Sequence, residues 1–283
     1  MPGRSARDLI KRHADTGPRP SGRGFLAWLV PRPVFLQDVN MAQNIYDDPK
    51  FFAGYSQLPR QVHGLKGAPE WNAIKAMLPP LEGKRVADLG CGFGWASRWM
   101  RQQGAASVMG YDLSEKMIGR ARADTDDEAI HYRIADLDRL ELPVDSFDLV
   151  YSALAFHYVA DFDRLVGMMH RALTLGGALV FTIEHPIFMA ASQPDWIEDE
   201  QGRKIWPVNG YSIEGERRTN WFVDGVLKYH RTMGTTLNTL IRQGFQIDRI
   251  EEFAPTTAQI SENPGLAEEL ERPMMLLVSA HTT

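Results

Sequence analysis

A glycine-rich loop carries the clearest chemical signal in the sequence. Residues 86–94 read Val-Ala-Asp-Leu-Gly-Cys-Gly-Phe-Gly, and a helix is expected to begin near Trp95. Glycine allows positive φ and a close backbone approach to a ligand, and the helix start would aim free N–H groups at that ligand. Asp88, on the strand before the loop, would repel a pyrophosphate and attract an ammonium or sulfonium. The loop therefore favours a cationic nucleoside, although dinucleotide oxidoreductases use a similar loop.

A second group of chemically capable residues follows two later strands. His157 comes after the fourth predicted strand, and the fifth is followed by Glu184 and His185, with Pro186 ending it. A neighbouring carboxylate raises the basicity of an imidazole, so we predict that these three side chains are catalytic. Adjacent strand residues point to opposite faces, so Glu184 and His185 need not reach one substrate. A buried structural role explains His157 equally well.

An alternating α/β fold is needed to position these residues. From residue 65 onward, short apolar runs alternate with amphipathic segments, which is typical of a parallel sheet covered by helices. The predicted strands span 85–89, 107–111, 130–134, 147–152, 178–183, 246–253 and 274–279, and the predicted helices 95–103, 114–123, 162–173 and 230–243. We expect an α/β, Rossmann-like, doubly wound sheet of seven mostly parallel strands, with ligands beyond their carboxyl ends.

The order of these motifs resembles that of the class I S-adenosylmethionine-dependent methyltransferases, and within them the methyltransferase type 11 group. The resemblance covers roughly residues 46–279, and residues 88–94 match the first motif of the family. Asp112, which lies 22 residues after Gly90, matches the acid that receives both ribose hydroxyls. Leu175 stands where the family usually has a proline before its Gly-Gly turn, here Gly176-Gly177. The resemblance implies that the chain binds S-adenosylmethionine and transfers its methyl group.

The resemblance also implies a set of cofactor-binding residues that is discontinuous along the chain. They are Asp88, Gly90, Cys91 and Gly92 in the loop, Asp112 and Leu113 after the second strand, Ala135, Asp136 and Leu137 at the adenine, and Ser152 beside the methionine. Asp136 is expected to accept from the exocyclic amine, and Cys91 is expected to be a small filler rather than a nucleophile. Each acid alone could be a turn residue; four matches in order carry the prediction.

Two further segments are expected to cover the carboxyl edge of the sheet. Residues 41–80 form the lid, in which Tyr55 is predicted to face the reacting centre and Arg60 the methionine carboxylate, although aromatic residues at helical spacing are often core. Residues 186–228 form an aromatic cap insertion. Its rings are Phe188, Trp196, Trp206, Tyr211, Trp221 and Phe222. They suit a small apolar or aromatic acceptor, or else they pack on the sheet or on a second copy in a homodimer.

The formal charge of −5 combines two unlike segments. Residues 1–40 contain seven Lys or Arg and three Asp, whereas the remainder contains 24 basic and 33 acidic residues. We expect residues 1–40 to be a disordered basic leader upstream of a true start at Met41, and residues 41–283 to be one methyltransferase domain. An organelle transit peptide is the alternative; a secretory signal is disfavoured by the short apolar run at 25–30.

Composition and spacing narrow the class of protein further. The acidic body argues against a nucleic-acid partner, and no apolar run is long enough to cross a membrane. A single cysteine and eight scattered histidines predict no disulfide and no metal site, which fits a cytoplasmic protein. We expect a methyltransferase acting on a small molecule. The rivals are a non-catalytic S-adenosylmethionine-binding protein and a nicotinamide-dependent oxidoreductase, and methylation of a protein stays open.

Overall fold

A seven-stranded sheet forms the centre of the computed structural model, which describes residues 42–191 and 194–283. In chain order the α-helices of these residues are α1 (Pro49–Tyr55), α2 (Pro59–Val62), α3 (Trp71–Met77), α4 (Trp95–Gln102), α5 (Glu115–Ala123), α6 (Phe162–Ala172), α7 (Pro186–Ala190), α8 (Met233–Arg242) and α9 (Thr257–Glu262). The strands are β1 (Arg85–Leu89), β2 (Ser107–Asp112), β3 (Ile130–Ile134), β4 (Phe147–Ala153), β5 (Leu173–Glu184), β6 (Ile197–Glu198), β7 (Lys204–Ile205), β8 (Gly215–Trp221), β9 (Val223–His230), β10 (Phe245–Glu252) and β11 (Met275–Thr282). The predictions for residues 1–40 lie outside the described residues.

The strand order of the large sheet confirms the predicted fold class. It runs β10-β11-β5-β4-β1-β2-β3, with β11 antiparallel to both neighbours and the other pairs parallel. The central strands β1 and β4 are almost wholly buried, as expected of parallel strands that carry helices on both faces. The order reverses between β1 and β4, and ligands of open α/β sheets bind at such a reversal. The predicted glycine loop lies there.

Local capping explains where the site-bearing helices begin. The Ser114 hydroxyl accepts a hydrogen bond from the backbone N–H of Met117 and caps the start of α5. Thr232 starts α8 in the same way by accepting from the backbone of Thr235. The predicted helix at 230–243 therefore begins too early: residues up to His230 belong to β9. None of the described helices is long and apolar enough to span a membrane.

Two expected irregular segments are more ordered than the sequence predicts. The Gly176-Gly177 turn lies inside β5, where pairing with β4 jumps from Phe147–Leu173 to Leu149–Ala178 and Gly176 has φ +71°. The expected insertion contains α7, the small β6–β7 hairpin and the longer β8–β9 hairpin, which we call the cap hairpin. Burial alternates along both strands of the cap hairpin, but its buried positions include Lys228 and His230, so the sequence shows no apolar alternation that would reveal the strands.

Candidate active site

The glycine loop adopts a conformation that only glycine takes without strain. Gly90, Gly92 and Gly94 have φ of +77°, +52° and +73°. The backbone N–H groups of Gly90 and Cys91 both donate to the carbonyl of Tyr111, at 2.7 and 3.0 Å, and tie the loop to β2. A Cβ added at Gly90 would overlap the side chain of Ala155. The loop is therefore held close to both β2 and the segment after β4.

Asp112 fixes this loop and retains acceptor capacity. Its Oδ2 accepts from the backbone N–H of Gly92 and its Oδ1 from that of Ser114, each at 2.9 Å. A carboxylate has about four acceptor positions, so about two remain for a ligand such as a vicinal diol. Burial raises the pKa of Asp112 to about 6, although the backbone hydrogen bonds oppose this shift.

Asp88 is an almost fully buried carboxylate at the end of β1. The Ser97 hydroxyl donates to its Oδ2 at 2.6 Å, and burial nevertheless raises the pKa of Asp88 to about 7. A carboxyl group in this condition is ionised by a nearby positive charge, which matches the preference for a cation inferred from the sequence. Burial also raises the pKa of Cys91, so its thiol is a packing group and not a nucleophile.

The remaining predicted cofactor residues contribute in different ways. Asp136 accepts from the backbone N–H of Asp138 at 2.9 Å and so stabilises the turn after β3. Ser152 donates to the carbonyl of Leu89 at 2.7 Å while fully buried; its side chain joins β4 to β1 and does not reach the loop surface. Main-chain atoms of three others make hydrogen bonds in the same region: Leu113, Ala135 and Leu137.

The lid connects the cofactor side of the site to the cap hairpin. Asp47 accepts from the Ser114 hydroxyl at 2.6 Å and from the backbone N–H of Lys116 at 3.1 Å, at the start of α5. Gln43 bonds the backbone of β9 through Gly225 and Leu227. Aromatic rings fill the space between. They are Tyr46, Phe51, Tyr55, Phe93, Tyr158, Trp221 and Phe222.

A buried ion pair occupies the acceptor side of this aromatic cluster. Lys228 of β9 donates to Oε1 of Glu184 at 2.5 Å, and both side chains are nearly buried. His157 Nε2 lies 3.9 Å from the same oxygen. Oε2 of Glu184 is buried and has no hydrogen-bond partner among residues 42–191 and 194–283. An unpaired buried carboxylate oxygen is costly, so this atom is a candidate acceptor for a donor group of a ligand.

The ionisation of this group follows from its surroundings. The backbone N–H of Glu184 donates to His157 Nδ1 at 3.3 Å, so the proton of the neutral imidazole is placed on Nε2, facing the carboxylate. Burial lowers the pKa of His157 to about 4, and the ring is neutral near pH 7. Burial acts to raise the pKa of Glu184, but His157, Lys228 and Arg272 together bring it below its ordinary value. Because His157 is neutral, Lys228 is the cation in contact that keeps Glu184 ionised.

Comparisons with known proteins identify the chemistry of this site. The sequence model of a methyltransferase domain family matches residues 87–181. A solved S-adenosylmethionine-dependent methyltransferase from Mesorhizobium loti is 58% identical, with a TM-score of 0.75, over 77% of this chain and 100% of that chain. This chain belongs to the S-adenosylmethionine-dependent methyltransferases. Its cofactor is therefore S-adenosylmethionine, and the predicted family is confirmed.

Two curated relatives add no methyl acceptor for this chain. A Haemophilus influenzae protein is 33% identical over 256 residues, covering 86% of this methyltransferase and 98% of that protein. The malonyl-[acyl-carrier protein] O-methyltransferase of Enterobacter lignolyticus is 39% identical over 111 residues. That match covers 39% of this chain and 43% of that enzyme, so its acceptor is not transferred to this methyltransferase.

Unpaired polar atoms beneath the lid fit the amino-acid end of the cofactor. Arg60 donates to fully buried Glu70 at 2.7 Å, and Gln61 donates to the Tyr55 hydroxyl at 2.9 Å. Among the described residues, Glu70 Oε2, Gln61 Oε1 and the indole N–H of Trp95 have no partner. The two unpaired acceptor oxygens suit the ammonium group of the cofactor's amino-acid end, and the unpaired indole N–H suits its carboxylate. Arg60 is thus already paired, and no sequence pattern indicates Glu70 as its buried partner.

His185 does not join the acceptor group of the methyltransferase. Its Nδ1 accepts from the backbone N–H of Ile187 and starts α7, while its Nε2 lies 2.8 Å from Glu252 on β10. Glu184 is the last residue of β5, whereas His185 lies outside that strand as the N-cap of α7. The contacts of His185 are structural, Lys228 is the residue that contacts Glu184, and a catalytic role of His185 stays a prediction.

The cap aromatics divide into two sets. Phe188, Trp196 and Trp206 surround the Arg272 guanidinium, with their ring centroids 4.7, 5.3 and 4.5 Å from it. Tyr211 stacks edge-on against His230, so these four rings serve packing. Trp221 and Phe222 instead pack on the lid. The sequence left both roles open for all six rings; the homodimer stays a prediction.

Proposed function

We propose that this methyltransferase acts on a small, apolar or aromatic molecule whose acceptor atom reaches Glu184 beneath the lid and the cap hairpin. The observation that carries this is the unpaired Oε2 of Glu184 within an enclosure of aromatic rings. The Tyr46 hydroxyl donates to the Tyr158 hydroxyl at 3.1 Å and joins the lid to the segment after β4 in this aromatic cluster. Aromatic walls with few polar groups are typical of small-molecule sites.

Each carboxylate of the site then has a defined task. S-adenosylmethionine supplies an electrophilic methyl group on a sulfonium and leaves as S-adenosylhomocysteine. We assign Asp112 to its ribose, Asp136 to its adenine and Asp88 to its positive charge. Glycines 90 and 92 let the backbone approach it. The paired lid residues Arg60 and Glu70 are assigned to its amino-acid end.

Glu184 is assigned the proton of the acceptor. The new bond forms between the acceptor atom and the methyl carbon while the sulfur–carbon bond breaks, and the chief requirement is alignment. An O–H or N–H of the acceptor becomes strongly acidic as its atom is methylated, so even a weak base can take that proton. A carboxylate kept ionised by Lys228 is suited to this task, and the neutral His157 lies beside it, with its Nε2 3.9 Å from Oε1.

A labelled-methyl experiment tests the proposal. The full-length protein is incubated with S-adenosylmethionine carrying a tritiated methyl group and with small-molecule, protein or RNA fractions of one cell extract. We expect label to appear in the small-molecule fraction and to be absent with Asp112→Ala, the matched control for cofactor binding. Label found only in the protein or RNA fraction would refute the proposed acceptor class while leaving the family unaffected.

A further inference from the structure

Lys228 is a buried lysine to which the sequence assigns no role. It lies on β9 of the cap hairpin and is 4% exposed. Its ammonium stands 5.5 Å from the ring centroid of Trp221 and 6.0 Å from that of Tyr158, both faces of the acceptor enclosure. Burying a lysine and a glutamate costs several kcal/mol per ion, which their attraction only partly offsets. Stability alone therefore does not account for this pair.

The two oxygens of Glu184 are in different situations. Oε1 receives the short hydrogen bond from Lys228 and faces the proton of His157. Oε2 is left without a partner among the described residues. Lys228 thus fixes which oxygen is free and in which direction it points. Because Lys228 comes from the cap hairpin, this arrangement depends on that hairpin being packed on the lid.

We propose that Lys228 is a positioning residue for methyl transfer: it holds Glu184 by Oε1 so that Oε2 accepts the proton of the methyl acceptor. The inference rests on the proposed function, because it uses the same acceptor site. Gln43 of the lid bonds Gly225 and Leu227, the latter next to Lys228 along β9. The lid that covers the cofactor therefore also places the lysine that orients the base.

Removing Lys228 should change the ionisation of Glu184. The charged or titratable groups that face this carboxylate are His157 and Tyr158 after β4, Lys228 on β9 and Arg272 before β11. His157 is neutral near pH 7, and Arg272 is already paired with Glu269 at 3.1 Å. In Lys228→Met, burial is opposed only by a neutral His157 and an already paired Arg272, so the pKa of Glu184 should rise by at least about one unit.

The first measurement needs no acceptor. Full-length protein labelled with carbon-13 glutamate is titrated between about pH 4 and pH 9. The carboxyl resonance of Glu184 is assigned by its loss in Glu184→Gln. In the wild type we expect Glu184 to give the resonance of a carboxylate at every pH above about 5, which is roughly half a unit above the pKa of an ordinary glutamate. In Lys228→Met we expect the resonance to titrate at a higher pH. Lys228→Arg, which keeps the charge, should restore the wild-type behaviour. An unchanged titration in Lys228→Met would overturn the proposal.

The second measurement separates positioning from a merely structural role. Rates of label transfer to the small-molecule extract are compared at pH 6 and pH 8, roughly one unit on either side of neutrality. Lys228→Met should lose a larger fraction of its rate at pH 6 than at pH 8, because the protonated fraction of Glu184 grows as the pH falls towards its raised pKa. Equal losses at both pH values would overturn the proposal. If the wild type labels no small molecule, the proposed function fails, but the NMR titration still decides whether Lys228 controls Glu184.

Discussion

The cofactor half and the acceptor half of this methyltransferase are built in different ways. In the cofactor half, the hydrogen bond from Gly92 to Asp112 joins residues 20 positions apart. In the acceptor half, Lys228 and Glu184 are 44 positions apart, and the Tyr46 and Tyr158 hydroxyls are 112 apart. The first half is made by backbone turns between neighbouring strands. The second is made by side chains that meet only after the lid and cap hairpin have packed.

This difference predicts that the two halves fail independently. A cofactor loop held by backbone hydrogen bonds should lose binding when its anchoring acid is removed, whatever happens at Glu184. An acceptor site held by a side-chain ion pair should lose turnover while the cofactor still binds. Variants in each half, measured with both readouts, therefore test whether the division is real.

The largest effect is expected from Asp112→Ala in the cofactor half. The substitution leaves the N–H groups of Gly92 and Ser114 without their acceptor and removes the group assigned to the ribose. Hydrogen bonds to charged groups are worth about 1.5–3 kcal/mol each, so the Kd for S-adenosylhomocysteine should rise about 1,000-fold by calorimetry. Asp124→Ala, which only breaks an exposed pair with Arg120 on α5, is the control. A similar loss in both variants would point to damaged folding.

Glu184→Gln should give the next largest effect, in the acceptor half. Loss of a general base typically costs a factor of about 100 or more, so label transfer should fall by at least about that factor. Calorimetry with S-adenosylhomocysteine should show a Kd within about twofold of the wild type, since Glu184 does not contact the glycine loop. A weakened Kd with normal turnover would remove Glu184 from the acceptor half.

The sequence reveals the cofactor half because one short motif encodes it. Alternate glycines, a preceding acid and strand periodicity are all visible between residues 85 and 112, and the structure places them as expected. The family and fold class follow from this part. Nothing comparable marks Lys228, because a lysine in a half-buried hairpin resembles any surface lysine until its partner is known. Glu70 and Gln61 were missed for the same reason: their roles depend on packing between distant segments.

His185 shows how little sequence adjacency says about a catalytic pair. Proximity to Glu184 suggested a working pair, but Glu184 ends β5 and His185 is the N-cap of the next helix. The structure uses His185 as a helix cap and Glu184 as the partner of a distant lysine. Adjacent residues are thus poorer evidence for a catalytic pair than residues at the ends of neighbouring strands. His157 and Glu184 satisfy that rule, since β4 and β5 are paired.

A smaller effect is expected on the pH dependence of folding stability, to which Asp88 in the cofactor half and Glu184 in the acceptor half contribute with opposite signs. The pKa of Asp88 is about 7 in the folded protein and near 4 when unfolded, so between these values the folded state binds the extra proton. Stability without cofactor should therefore fall as pH rises, by up to about 1.4 kcal/mol per pH unit. Asp88→Asn should reduce this slope in urea unfolding measured from about pH 5 to pH 7, and Ser97 can still donate to the amide oxygen.

Glu184 should behave in the opposite way. Its folded pKa is lowered, so its contribution to stability is present above the unfolded pKa and is lost as pH falls through the folded pKa. The window for this loss lies on the acid side of an ordinary glutamate, outside that of Asp88. Asp88→Asn could instead leave the slope of unfolding free energy against pH unchanged between about pH 5 and pH 7, within the error of the urea extrapolation. Asp88 would then be ionised in the folded protein, and the preference for a cation assigned to it would need another source.

The smallest effect is expected from His185→Ala, and it tests where the acceptor half ends. The variant loses the acceptor for the Ile187 N–H at the start of α7 and the contact with Glu252, which is 56% exposed. Loss of a helix cap costs about 0.5–2 kcal/mol, so the urea midpoint should fall modestly. Label transfer and cofactor affinity should stay within about twofold of the wild type, because the contacts of His185 are structural. A loss of turnover as large as that of Glu184→Gln, with stability intact, would place His185 in the acceptor half after all and return the proton to the pair that the sequence first suggested.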